Sequence, residues 1–132
     1  MKLTDEERKQ IVTYRLNKAK ETLQEAKGNI QMEYWNTAAN RLYYACYYAV
    51  SALLIKHEYI TRTHSGVISL LGEHFIQKGI INQEQGAFYG RLFDFRQKSD
   101  YNDLIIIQPE KVKQMMVPSE EFVATLEKLI LE

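Results

Sequence analysis

Between Asn36 and Lys56 the chain carries a run that does not suit a surface helix. At helical spacing, Leu42, Cys46, Ala49 and Leu53 draw one apolar stripe, and Tyr43, Tyr47, Val50 and Leu54 draw a second beside it, so apolar residues go nearly all the way round. Such a helix needs cover on most sides. The pattern predicts a helix that is central in a bundle and also shared with a second copy of the chain. Asn36, a good capping residue, marks its expected start.

The flanking segments supply candidates for that cover. Val12, Leu16, Ala19, Leu23, Ala26 and Ile30 recur at alternating steps of four and three, which predicts a first helix from Thr4 to Lys27. Thr4 is its expected cap, Asp5, Glu6 and Glu7 suit the positive end of the helix dipole, and Lys27-Gly28-Asn29 reads as a stop. Capping residues from Thr61 to Gly66 precede a third helix carrying Val67, Ile68, Leu71, Phe75 and Ile76, which stops at Lys78-Gly79. Asn82 can cap a fourth, with Phe88, Leu92 and Phe95 on its inner stripe and Arg91, Arg96 and Asp100 nearer its edge. Leu104–Ile107 is too short to assign by periodicity and is expected to lie as a loop over the core. Val112, Met115, Ser119, Phe122, Leu126 and Leu129 then share one helical phase after Pro109, and Pro118 is expected to kink that region or split it. The expected fold is an all-α, up-and-down bundle of four main helices plus this C-terminal helix, one domain over residues 1–132.

Composition removes several classes of function. Lys and Arg number 17 and Asp and Glu number 17, so no global positive field draws the chain to DNA or to an anionic membrane; any anion site has to be local. Cys46 is the only cysteine, so no internal disulfide and no multi-cysteine metal site can form. His57, His64 and His74 lack the two-on-one-turn spacing of a helical zinc site, and neither G-x-G-x-x-G nor a P-loop occurs, so no metal or cofactor is expected. The charged N-terminus and the lack of a long apolar span point to a cytoplasmic protein.

The most suggestive stretch is Arg91 to Asp103, where arginines, Lys98 and several polar groups collect at a helix end. Arginine holds a phosphate through two donors at once, so the stretch fits a nucleotide or RNA phosphate. The alternative is an exposed Arg96–Asp100 pair one turn apart, worth only about 0.3–0.5 kcal/mol. Tyr43, Tyr44, Tyr47 and Tyr48 can stack on bases, but on an alanine-rich helix they are expected to fill a close helix contact. Arg41, on the side of Tyr44 and Tyr48, is a charge on an otherwise apolar helix and needs an acidic or backbone partner. His64 beside Ser65 is expected to cap a helix or take a buried hydrogen bond, with a functional role as the sharper alternative.

Three stretches together, Ala38-Ala39-Asn40-Arg41-Leu42-Tyr43-Tyr44-Ala45, Thr63-His64-Ser65-Gly66-Val67-Ile68-Ser69-Leu70 and Arg91 to Tyr101, resemble the HEPN domain in its branch of small stand-alone bacterial and archaeal proteins. The resemblance implies a helical bundle that dimerises and a frequent nucleotidyltransferase partner, as toxin and antitoxin or as a two-part nucleotide-binding module. It also implies a metal-independent ribonuclease motif, an arginine followed by a histidine. Arg96 matches that arginine, but the position four intervening residues on holds Tyr101 and no histidine follows in the chain. A tyrosine of ordinary pKa near 10 moves protons poorly at neutral pH. The leading expectation is therefore a non-catalytic or weakly catalytic homodimer that binds nucleotide or RNA near Arg96, Asp100 and Tyr101. Arg41, Tyr44, His64, Ser65, Arg91 and Asp103 complete the candidate set. The alternatives are a ribonuclease toxin using Tyr101 or Asp100 in place of the histidine, and a purely structural interaction protein.

Overall fold

A computed structural model describes residues 2–101 and 107–132. It contains α1 (Asp5–Gln31), α2 (Trp35–Lys56), α3 (His64–Leu71) continued by a π-helical turn (Gly72–Ile76), α4 (Gln83–Tyr101) and α5 (Pro109–Leu131), with no strand among the described residues. The expected loop over 104–107 lies outside them except for Ile107, which is buried in the core.

Ion pairs and hydrogen bonds between helices fix their directions. Arg8, early in α1, meets Glu58 just past α2 at 3.4 Å, and Arg41, early in α2, meets Glu25, late in α1, at 3.8 Å, so these two helices are antiparallel. Asn40 meets Asp100 at the far end of α4, which makes α4 antiparallel to α2 as well. Lys56 at the end of α2 donates to the carbonyls of Leu129, Ile130 and Glu132 at the end of α5, and Lys113 sits 5.4 Å over the Trp35 ring near the starts of both, so α5 runs parallel to α2. The four long helices therefore alternate in direction along the chain. The long C-terminal helix is one of those four, and the short extra member is α3, which spans from α2 toward α4.

At the centre lies α2. Ala38, Ala39, Ala45, Ala49 and Ala52 are at most 1% exposed, and their small side chains let α1, α4 and α5 approach its backbone closely. One chain thus encloses nearly the whole apolar circumference of α2, leaving Tyr44, Tyr47 and Tyr48 half-buried. The periodicity of α2 accounts for its central place without requiring a second copy.

Local signals explain most of the boundaries. Thr4 Oγ1 accepts from the Glu7 amide at 3.1 Å while Glu7 Oε1 accepts from the Thr4 amide at 2.9 Å, a reciprocal cap on α1. Thr63 caps α3 through the Gly66 amide, and Asn82 caps α4 through the Gln85 amide at 2.7 Å. Two expected boundaries are corrected. Gly28 does not stop α1; the helix runs on to Gln31, and the chain reverses at Glu33, whose φ is +62°, a conformation that its side chain does not announce. Asn36 lies inside α2, which starts at Trp35 behind Tyr34 with no side-chain cap. Of the two outcomes expected at Pro118, the split does not occur: α5 is continuous. An interior proline costs ~3 kcal/mol. Burial of Val112 before it and Phe122, Val123 and Leu126 after it, each worth about 1.5–3 kcal/mol, outweighs that and holds both halves in one helix.

Two glycine substitutions separate backbone propensity from packing. A Cβ on Gly66 would stand 2.0 Å from Thr61 Oγ1 and 2.8 Å from the capping Thr63 Oγ1, so Gly66→Ala is expected to lose the α3 cap and about 1–2 kcal/mol in urea unfolding. Gly28 has nothing within 4 Å of the same position, so Gly28→Ala should raise stability by up to about 1 kcal/mol.

Candidate functional site

Arg96 was expected near the edge of its helix; it lies on the buried face of α4 with Tyr89 and Leu92, 8% exposed. Phe88 and Phe95, expected inside, are only partly buried. Burying a guanidinium requires partners, and two elements, α2 and α4 itself, supply them. Its Nε donates to Asp100 Oδ2 at 3.0 Å, and Nη2 donates to the hydroxyls of Tyr44 at 3.0 Å and Tyr101 at 3.4 Å. Its Cζ lies 5.4, 5.3 and 5.6 Å from the ring centres of Tyr43, Tyr44 and Tyr101, within range of cation–π attraction. Burial alone would lower the pKa of Arg96, but Tyr44, Asp100 and Tyr101 outweigh it and the net shift is upward. A fixed positive charge results. The Arg96–Asp100 pair is therefore half enclosed rather than the exposed pair of the bland alternative.

A polar chain leads outward from it. Asn40 Nδ2 donates to the same Asp100 oxygen at 3.1 Å, while Asn40 Oδ1 accepts from Arg41 Nε at 3.1 Å and Nη2 at 2.8 Å. Arg41 also faces Glu25 and sits 5.4 Å over the Tyr44 ring. The partner that Arg41 required is thus Asn40 first and Glu25 second. Asn40 belongs to the network although spacing gave no reason to choose it; the available signal was a polar residue one turn before Tyr44 on an apolar helix.

His64 arrives from α3. Thr63, not His64, caps that helix, and the His64 ring stacks on Tyr47 at 4.5 Å while its Nδ1 lies 2.7 Å from the Tyr43 hydroxyl. Tyr43 is fully buried, with its ring against those of Tyr44, Tyr47, Tyr89 and Phe93. Burial pushes the phenol of Tyr43 well above its ordinary pKa, so the group stays protonated. Burial first, and then the positive charge of Arg96, push the imidazole of His64 below its ordinary value.

The structure thus brings together Arg41, Tyr44, His64, Arg96, Asp100 and Tyr101, and it adds Asn40 and Tyr43. Ser65 is exposed and lies 3.5 Å from Thr63 Oγ1, at the cap rather than at the cluster. Arg91 points into a different groove between α4 and α5, shared with Lys98 and Lys111 over Phe95 and Met115. Asp103 lies outside the described residues. Chemically, among the described residues the cluster offers two guanidinium cations, Arg96 enclosed and Arg41 at its rim, an aromatic wall, one carboxylate already accepting two hydrogen bonds, and one neutral imidazole. No helix among the described residues is long and apolar enough to cross a membrane.

The chain has relatives among known proteins. A family model described as HEPN domain matches residues 12–129. A UPF0332 protein of Thermotoga maritima is 38% identical over 94% of this chain and 94% of its own length. Two Methanocaldococcus jannaschii proteins, each named "putative toxin", are 26% and 28% identical, covering 88% and 86% of this chain and 79% and 84% of their own lengths.

The lowered pKa of His64 has a consequence for stability. The unfolded chain takes up the proton near the ordinary pKa of about 6.5, above the folded value, so stability is fully present above that pH and falls as pH drops through the folded pKa. Urea midpoints measured at pH 7.5 and 5.0 should therefore fall less in His64→Gln than in the parent chain. An equal fall would mean that His64 is not perturbed.

Proposed function

The chain belongs to the HEPN domain family, and on that footing we propose that it is a homodimeric, phosphate-binding protein of a toxin–antitoxin-like module. In this reading it holds a nucleotide or RNA at Arg96, works in the cytoplasm with a nucleotidyltransferase partner, and is non-catalytic or only weakly catalytic alone. The observation that carries the reading is the state of Arg96: a permanent cation, oriented by Asp100 and three tyrosines, at the C-terminal end of α4. A guanidinium whose position is fixed before binding loses little freedom when an anion arrives, which favours recognition of phosphate. The half-buried ring of Tyr44 and the exposed ring of Tyr101 beside it suit a base or ribose attached to that phosphate. The toxin names of the two archaeal relatives support the module, and they are the names of those proteins.

Weak catalysis follows from what surrounds the arginine. A general base needs a free lone pair aimed at the proton it removes. Asp100 Oδ2 already accepts from Arg96 and Asn40, and the Tyr101 hydroxyl leans on the same guanidinium, so neither is well placed to replace the motif histidine. The ribonuclease alternative keeps one supporting observation: Tyr101 is 75% exposed and stands within 3.4 Å of Arg96, where a bound phosphodiester could meet both.

Metal-free incubation with a mixed RNA pool should leave the RNA intact, and light scattering on the same sample should return the mass of a dimer. Binding of ATP or of a short oligouridylate should weaken by roughly tenfold or more in Arg96→Ala. Asp100→Asn, which keeps the packing, should weaken it less. RNA cleavage that disappears in a folded Arg96→Ala variant would replace the proposed reading with the ribonuclease one. Binding unchanged in that variant would leave the cluster a structural network.

A further inference from the structure

The contact between Tyr43 and His64 has no part in the reading above, and it joins the buried centre of the bundle to a half-buried imidazole. Tyr43 is fully buried in the centre of the bundle, and its hydroxyl has one hydrogen-bond partner of normal geometry among the described residues, His64 Nδ1 at 2.7 Å. The hydroxyl of Tyr89 is also buried and interacts with Tyr43, but it makes no bond of normal geometry. A buried phenol that only accepted a hydrogen bond would leave its own proton unpaired, a costly arrangement. Tyr43 is therefore the donor and His64 Nδ1 the acceptor. That assignment fixes the tautomer: in a neutral imidazole whose Nδ1 accepts, the proton sits on Nε2.

The ring itself is held from three sides. Tyr47 stacks on it at 4.5 Å, Tyr44 meets it edge-on at 5.9 Å, and Tyr43 stands at 5.7 Å. Two of these residues, Tyr43 and Tyr44, also pack against the guanidinium of Arg96, so the imidazole and the guanidinium share the same two rings. The charged and titratable groups facing His64 from the packed elements are Arg96 on α4 and Tyr43, Tyr44 and Tyr47 on α2. No carboxylate is among them in the described residues. Burial and Arg96 both disfavour the imidazolium, so at neutral pH the group presents an N–H without a second charge.

We propose that Tyr43 and His64 form a positioning pair which adds to the Arg96 site a second, uncharged donor, so that a phosphate oxyanion is held between the guanidinium and the Nε2–H of His64. The inference rests on the phosphate-binding reading of Arg96. In it, His64 touches the ligand and Tyr43 acts through His64. The site then distinguishes a phosphate, whose separate oxygens reach both donors, from a lone halide, which has a single centre to share between them. The two sources of such an oxyanion are a free nucleotide and an RNA backbone. A terminal phosphate offers more oxygens than a phosphodiester, whose two non-bridging oxygens would both be used.

The test combines a spectroscopic and a binding measurement on the full chain. Nitrogen-15 correlation of the histidine side chains at pH 7.5 should show His64 as a single Nε2–H tautomer in the parent protein and as a tautomer mixture in Tyr43→Phe, which keeps the ring in the bundle. ATP and an unphosphorylated-end oligouridylate serve as the two probes. His64→Phe is expected to lose about tenfold in affinity for whichever probe binds, Tyr43→Phe a smaller factor, and His64→Gln, which offers an amide N–H, should recover part of the loss. Affinity for ATP alone would identify a nucleotide site, and affinity for the oligonucleotide would identify an RNA backbone site. If the parent protein binds a probe and Arg96→Ala loses it while His64→Phe and Tyr43→Phe do not, the pair is structural and this inference falls with the Arg96 reading intact. If the parent protein binds neither probe, both fall. An Nδ1–H tautomer in the parent protein overturns the pair whatever the binding result.

Discussion

Everything in this molecule is arranged around the need to keep water from α2. A helix with apolar residues on nearly every side is stable only inside a sheath, and α1, α3, α4 and α5 form one. The alanines at 38, 39, 45, 49 and 52 bring those neighbours close, and the tyrosines between them project far enough to meet residues on α3 and α4. The same helix therefore sets the spacing of the bundle and the position of the polar cluster. Core and site are consecutive turns of one element.

Within that sheath Arg96 is the exception that had to be accommodated. A charge at 8% exposure is unfavourable unless its donors are used and its field is answered, and the response is spread over a carboxylate, two hydroxyls and three ring faces. No single contact dominates. Cation–π contacts of this kind contribute roughly 0.5–2 kcal/mol and a hydrogen bond from a charged donor about 1.5–3 kcal/mol, so the ensemble is comparable to the several kcal/mol lost on desolvation. A cation so balanced is held firmly without being deeply stabilised.

Much of this was legible in the sequence, and the failures are physically specific. Strong periodicity gave α1, α2 and α4 because a core face imposes a repeat on the chain. Thr63 was one of several capping residues between Thr61 and Gly66, whereas Thr4 and Asn82 were legible as caps because their side chains carry the hydrogen bond themselves. Glu33 was not, since a non-glycine residue at positive φ is set by what surrounds it and not by its own chemistry. Arg96 and Asp100 were visible as a pair one turn apart, but their burial depends on α2, sixty residues earlier for the Asn40–Asp100 contact, and no local pattern contains that. His64 was noticed through its neighbours in the chain, whereas its approach to Tyr43 is a product of the α2–α3 turn. Arg91 was grouped with Arg96 by proximity in sequence, and helical rotation sends it to another groove.

The contact of Lys113 over Trp35 has an optical meaning. Trp35 is the only tryptophan, and it stands where the starts of α2 and α5 meet. The aromatic wall at Arg96 consists of tyrosines. Emission excited at the red edge of the absorption band comes from indole alone and reports the junction of α2 with α5, free of any contribution from the tyrosines around Arg96. One unmodified chain thus carries its own single-residue signal for the closing of its bundle.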